Sequence, residues 1–290
     1  MSDFVVPGQP ITREQGFLRG HGAYLQHPQT ISEGEHGVLV ASVAGRISRI
    51  NKLICVTPVK ARFSGEVGDL LVGRVTSVDA KRWRVHVASQ KDAVLQLNSI
   101  NLPGGDQRMK TYEDQLSMRS LFVEGDLVCA EVQNVNAEGV ISLHSRSLKY
   151  GKLENGHLVV VPCALIRRLS HHYVSLACGV DVILGKNGWI WVTRSVPEAW
   201  KNMYVDDDIT PLVETLQQLR AQHIGTPLTA DERMRVARTR NAILALSGEG
   251  RTFEINPDTI MSVYDRSVEL HMHPADMTRA ASVQVLVAHL

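Results

Sequence analysis

The residues with the clearest chemical potential lie on short alternating segments. In Arg82-Trp83-Arg84-Val85-His86-Val87 the cationic and imidazole side chains take every second position, and apolar ones fill the positions between. On an extended strand, whose side chains point alternately to opposite faces, Arg82, Arg84 and His86 share one surface and Trp83, Val85 and Val87 the other. The segment GVISLHSR divides the same way, with Ile141 and Leu143 inward and Ser142, His144 and Arg146 outward. If these strands are near neighbours, they present a positive, hydrogen-bonding wall of the kind single-stranded RNA uses. Arg74, beside Gly73, and Lys81 extend that cationic surface. Trp83 either stacks on a base or plugs the interior, and its apolar same-face neighbours favour the plug.

A second motif is VILGKNGWIWV, in which Gly185-Lys186-Asn187-Gly188 gives the spacing Gly-x-x-Gly. A loop of that spacing grips a nucleic-acid backbone where it joins two helices. Here it separates two apolar, strand-like runs, and Asn-Gly is the favoured pair of a type I′ hairpin, so the spacing predicts a turn.

Other clusters carry weaker chemistry. Asp206-Asp207-Asp208 suggests metal ions for a nuclease, but the triplet precedes a helix start at Thr210-Pro211, where carboxylates complement the positive helix end. Cys163, His171, His172 and Cys178 match no common zinc-finger spacing, so buried thiols are the expectation and no metal site is assigned. Asn51-Lys52 lies between two strands, where carrier domains display a lipoyl or biotinyl lysine; a plain Asn-initiated turn is the simpler reading. There is no nucleophile elbow, P-loop, paired metal-binding histidines or dinucleotide fingerprint, which argues against catalysis and against a cofactor.

Composition sets the frame. A chain of 290 residues suits two or three modules, and 44% hydrophobic with 21% charged residues excludes wholesale disorder. With a net charge of +1, affinity for nucleic acid must come from local patches. Two stand out: Lys60 to Lys91, where Lys and Arg outnumber acids, and His144 to His172, where Glu154 is the only acid. Four cysteines without a Cys-x-x-Cys pattern fit a reducing compartment. The N-terminus does not read as a signal peptide, and the run LVVVPCALI is too short for a membrane span, so a soluble intracellular protein is expected.

The elements that must position these residues fall into three groups. Residues 1–62 alternate short apolar runs with glycine punctuation, as a β barrel-sandwich domain does. Residues 63–147 hold five strands, suggesting an OB-type barrel, with a short helix from Glu113 to Phe122 opened by a Thr111/Asp114 capping pair. Within that helix Leu116, Met118, Leu121 and Phe122 are available for packing. Residues 148–290 are mixed α/β: PCALIRRL as a short helix, VDVIL and WIWVT as paired strands, then helices from Thr210-Pro211 and from Thr229, the latter with Glu232 as capping partner. That last helix carries Arg233, Arg235, Arg238 and Arg240, read as a solvated or subunit-contacting face ahead of an RNA contact. From Pro257 onward a further helical tail is expected.

Read in order, FVVPG, GFLRGHGAY, ASVAGRISRINKLICV, GEVGDLLVGRVTSV, KRWRVHV, SINLPGG, ISLHSRSLKYGKL and VILGKNGWIWV resemble the eukaryotic RNA exosome cap subunits of the ribosomal RNA-processing protein four type. The resemblance runs from residue 4 to about 193. It implies an N-terminal β domain, a central OB barrel of the ribosomal protein S-one type and a C-terminal KH-like domain with extra helices. It also implies a non-catalytic subunit on a ring of RNase PH-like proteins, beside other S-one/KH cap subunits. Such a subunit guides single-stranded RNA to a separate 3′ to 5′ exoribonuclease and its helicase, in ribosomal RNA maturation and messenger RNA decay, in nucleus, nucleolus and cytoplasm, with no membrane partner. In relatives with a complete KH motif the gripping loop follows the segment ALIRRL. Here Ser170 to Tyr173 reads SHHY, without glycine, so the KH-like domain is expected to act mainly as a scaffold, with Arg167 and Arg168 beside His171 and His172 still able to touch phosphate. The alternative function is a stand-alone RNA-degrading enzyme.

Overall fold

The computed structural model describes residues 4–14, 16–26, 37–58, 62–100, 110–136, 138–147, 150–197, 222–223, 225–248 and 254–288. The helix expected from Thr210-Pro211, the triplet Asp206–Asp208 and the loop at 101–109 lie outside these residues. The chain forms two compact units, Met1–Ala61 and Arg62–Leu290.

In the first unit, β1 (Phe4–Val5), β6 (Gly45–Ile50), β7 (Leu53–Pro58) and β3 (Leu18–Arg19) make a four-stranded sheet in that order. A three-stranded sheet runs β2 (Pro10–Thr12), β5 (Val38–Ala41), β4 (Ala23–Gln26). Val5, Ala41 and Val56 form the small core between them, with Ile11, Val43 and Ile47 packed against it. Asn51, at φ 54°, and Lys52 are the two-residue connection between β6 and β7. Asn tolerates that left-handed conformation better than most residues, which accounts for Lys52 as part of a plain turn.

The second unit begins with the barrel. Strands β8 (Leu70–Val78), β9 (Arg82–His86), β10 (Ala93–Ile100), β11 (Leu127–Val135) and β12 (Ile141–Ser145) are linked in the order β12-β10-β9-β8-β11, and β11 pairs with β12 to close the ring. The β10–β12 pair is parallel and the others antiparallel, the arrangement of a five-stranded OB barrel. A further strand, β13 (Gly151–Leu153), hydrogen-bonds to β11. Trp83 fills the interior: it is 0% exposed, its indole Nε1–H donates to the Phe122 carbonyl at 3.2 Å, and its ring meets that of Phe122 edge-on at 5.3 Å. It is therefore a plug and not a stacking platform.

The helix expected from Glu113 to Phe122 is instead two short turns, α1 (Tyr112–Leu116) and α2 (Met118–Leu121). The capping pair is present, with Asp114 accepting from the Thr111 N–H at 2.7 Å. The helix breaks at Ser117, whose hydroxyl bonds back to the Asp114 carbonyl at 3.2 Å, a local alternative to helical bonding. Met118 and Phe122 are buried against the barrel core, whereas Leu116 is exposed and packs on nothing there.

The remainder is an antiparallel sheet in the order β14 (Gly156–Val160), β17 (Trp189–Arg194), β16 (Val180–Leu184), β15 (Tyr173–Leu176). Helices α3 (Ala230–Leu246), α4 (Pro257–Glu269) and α5 (Ala280–Val287) contribute to the core on one face, where Val182, Leu184, Ile190 and Val192 meet Val236, Ile243 and Ile260. On the other face Ile183, Trp189 and Trp191 meet Leu70, Val72, Cys129 and Leu153 of the barrel and its added strand. Both faces being covered explains why β16 reads as an unbroken apolar run except for Asp181.

The segment PCALIRRL is not a helix. One 3-10 turn forms at Cys163–Leu165, and Ile166 is already extended. Its carbonyls have tertiary partners: Leu165 O accepts from Ile255 N at 2.8 Å and Ile166 O from Lys186 Nζ at 2.6 Å. Helix α3 starts as its capping box predicts, Glu232 accepting from the Thr229 N–H at 2.8 Å. Three of its arginines turn inward: Arg235 donates to the Cys178 carbonyl, Arg238 to Ser267 Oγ, and Arg240 to the neighbouring Asn241 Oδ1.

Candidate nucleic-acid interface

Strand alternation places the barrel-wall residues as their spacing requires. Trp83, Val85 and Val87 are buried, while the side chains of Arg82, Arg84 and His86 are 49%, 52% and 48% exposed. Arg74 lies directly opposite His86 in the β8–β9 ladder and is also exposed, so the two share one outer surface. Lys81 is exposed in the turn between these strands. His144 and Arg146 belong to a different stretch of wall: β12 is separated from β9 by β10, whose Val94 faces Arg84 on one side and Ser142 on the other. The two outward rows are thus one strand apart, not adjacent. His144 is partly buried opposite Glu131 of β11, and its Nδ1 has no hydrogen-bond partner among the described residues.

The charges on this wall are moderated by acids that spacing did not pick out. Asp79 Oδ2 accepts from Arg82 Nε at 2.9 Å and lies 3.5 Å from Arg84 Nε. The Arg82 hydrogen bond holds the Asp79 carboxyl below its usual range. His86 Nδ1 lies 3.1 Å from Asp92 Oδ1, and its ring meets Trp189 at 5.7 Å. The signal for Asp79 was present in the sequence, three residues before Arg82 across a tight strand connection.

Arg167 and Arg168 sit elsewhere, in the extended connection before β15. Arg167 pairs with Glu254 at 3.1 Å. Arg168 reaches back to the barrel's leading loop, pairing with Glu66 at 3.0 Å and donating to the Val67 carbonyl at 3.1 Å. Within the basic patch from His144 to His172, acids at 126, 254 and 66 pair with Lys152, Arg167 and Arg168 in space. His172 is structural. Its Nδ1–H donates to the Leu184 carbonyl at 2.8 Å and its Nε2 accepts from the Leu169 N–H at 3.2 Å, which defines the neutral tautomer, and burial lowers its pKa.

The Gly-x-x-Gly segment is a turn, though not the type I′ turn expected. Neither Lys186 nor Asn187 has positive φ, while Gly188 has φ 89°, and the Gly188 N–H donates to the Gly185 carbonyl at 2.9 Å. This is a three-residue hairpin connection ending in a left-handed glycine. It docks on the barrel. Asn187 is 3% exposed and its amide donates to Val72 O at 2.8 Å and Val87 O at 3.0 Å, while Lys186 N donates to Leu70 O at 2.9 Å. No local pattern signals this contact, because its acceptors are backbone atoms about a hundred residues away.

An OB barrel joined through a packed sheet to a KH-like α/β domain, preceded in sequence by an N-terminal β unit, defines a class: multidomain proteins of S1 and KH type. Family models match in the same order: "Exosome complex exonuclease RRP4 N-terminal region" over residues 4–50, "RRP4, S1 domain" over 62–134 and "KH domain" over 156–198. The chain is 44% identical to exosome complex component RRP4 of Bos taurus over 91% of its own length and 78% of the relative's. It is 40% identical to rrp4 of Schizosaccharomyces pombe, covering 92% of this chain and 76% of that one, and 38% identical to the Arabidopsis thaliana homolog, covering 93% and 81%. The chain belongs to the exosome complex component RRP4 family.

Proposed function

We propose that this protein is a non-catalytic, RNA-binding cap subunit of an RNA exosome. It stabilises a ring of RNase PH-like subunits and guides single-stranded RNA towards a separate 3′ to 5′ exoribonuclease, with an associated helicase, in RNA decay and ribosomal RNA maturation. Nucleus, nucleolus and cytoplasm are the compartments where such a complex works.

The observation that carries the RNA role is the exposed row Arg82, Arg84 and His86, with Arg74 beside it, on a barrel wall whose neighbouring stretch at Leu70 and Val72 is covered by the KH-like sheet, with Trp189 against the His86 ring. Guanidinium groups on a strand surface neutralise phosphates, and because Asp79 and Asp92 already hold three of these side chains, the grip is weak and suited to a strand that must keep moving. The KH-like domain acts as scaffold, since Arg168, His172 and the Gly-x-x-Gly turn are engaged in internal contacts.

The test is RNA crosslinking in the assembled complex, together with incubation of the purified chain with labelled RNA, with and without divalent metal or phosphate. Crosslinks on β8 and β9 and no turnover are expected. Dense crosslinks confined to residues 167–173 reverse the assignment of the site, and turnover lost on replacing Asp206 to Asp208 supports the stand-alone enzyme instead.

A further inference from the structure

A cleft of about 630 Å³ lies between the barrel and the KH-like sheet, lined by Leu70, Leu153, Ile183 and Trp191 and by the rings of Tyr150 and Tyr173. The three cations that line it are each already matched: Lys152 by Asp126 and Glu154 at 3.2 and 3.0 Å, Arg168 by Glu66 at 3.0 Å, and Arg194 by Glu232 at 3.9 Å. Two of its histidines, His172 and His223, are biased towards the neutral form by burial.

Glu131 stands apart. Its Oε2 accepts a hydrogen bond from the Tyr150 hydroxyl at 2.8 Å, and among the described residues no Lys, Arg or His lies within ion-pair distance of it. Tyr150 remains a neutral donor, because burial and Glu131 itself both raise its pKa. His144, opposite Glu131 in the β11–β12 ladder, makes no ion pair with it. The cleft thus offers a carboxylate without a counter-ion, beside aromatic faces, while its cations are already committed. A phosphate entering it meets occupied cations and an uncompensated carboxylate; a guanidinium or ammonium meets a partner and ring faces that attract cations.

We propose that this cleft is a docking site for a basic side chain, arginine or lysine, carried on an extended segment of a partner protein, with Glu131 as its counter-ion. The site is separate from the barrel wall and does not depend on the RNA reading of that wall.

The test uses the full chain and three probes: an octapeptide of glycine and serine with two central arginines, the same peptide with two glutamates, and an oligouridylate. The Trp191 indole N–H resonance, assigned with Trp191→Phe, is followed in each titration. The arginine peptide is expected to move it in a dose-dependent way while the other two probes do not. Glu131→Gln, which keeps an acceptor for Tyr150 and is checked for an unchanged melting curve, should weaken that peptide by about tenfold or more. A resonance that ignores the arginine peptide, responds equally to the glutamate peptide, or is unaffected by Glu131→Gln overturns the proposal. Displacement of the arginine peptide by oligouridylate would assign the cleft to RNA.

Discussion

The side-chain amide of Asn187, in a turn of the KH-like sheet, donates to the main-chain carbonyl of Val72 in the barrel across 2.8 Å. The same nitrogen serves Val87 O at 3.0 Å, so one buried side chain ties two barrel strands' carbonyl groups to the neighbouring domain. Together with the apolar contacts of Trp189 and Trp191 on Leu70 and Val72, this holds the barrel and sheet in one arrangement.

Replacing Asn187 by Ala strips a donor from two buried carbonyls, at a cost of about 2 to 4 kcal/mol. Asn187→Asp should be at least as harmful, since a carboxylate cannot donate and is buried without a cation. Urea unfolding followed by tryptophan fluorescence measures this; a loss below about 0.5 kcal/mol would mean that the turn is solvated in solution.

Stability should depend on pH through His172. Burial lowers its pKa in the folded protein, Lys186 and Arg168 act in the same direction, and Asp69 opposes them. The unfolded chain therefore binds a proton first as pH falls, so the contribution of His172 is complete above its unfolded value of about 6.5 and is lost as pH drops through that value towards the folded one. Urea midpoints compared between about pH 8 and about pH 5 should converge for the wild type and His172→Gln. A gap that widens towards acid would show that the protonated ring is the favoured form.

On the barrel wall, Asp79 sets how much charge RNA meets. Asp79→Asn releases Arg82 and Arg84 from their shared carboxylate and should tighten binding of a single-stranded oligonucleotide by a few-fold. Arg82→Ala with Arg84→Ala should weaken it and lower the slope of log affinity against log salt by about one to two. Equal salt slopes in the wild type and the double variant would remove these arginines from the interface.

Gly73 of β8 lies against the Val85 and Val87 side chains of the adjacent β9 segment, where an added Cβ would lie 2.5 Å from Val85 Cγ1 and 2.9 Å from Val87 Cγ1. Gly73→Ala should destabilise the chain by about 1 to 3 kcal/mol by overpacking, visible as a lowered thermal midpoint. An unchanged midpoint would mean that the barrel interior yields more than its packing suggests.

Strand alternation was legible from residue types alone. A run such as Arg82-Trp83-Arg84-Val85-His86 has one way to bury its apolar members, so alternation set the outward cations and favoured Trp83 as a plug over a stacking platform, which its full burial decides. The capping box at Thr229, the helix start at Pro257 and the Asn51 turn were equally local, each being decided by atoms within a few residues. What lay beyond sequence were partners supplied from a distance. PCALIRRL has a helical composition but goes no further than one 3-10 turn, because Ile255 and Lys186 bind its carbonyls. Three cations of the patch at 144–172, Lys152, Arg167 and Arg168, are paired because Asp126, Glu254 and Glu66 fold back onto them. The Gly-x-x-Gly turn became an interdomain contact because two barrel carbonyls happen to face it. Periodicity and caps are short-range, so the chain itself determined them; charge neutralisation and domain docking depend on contacts a hundred residues apart, and only the tertiary structure could decide those.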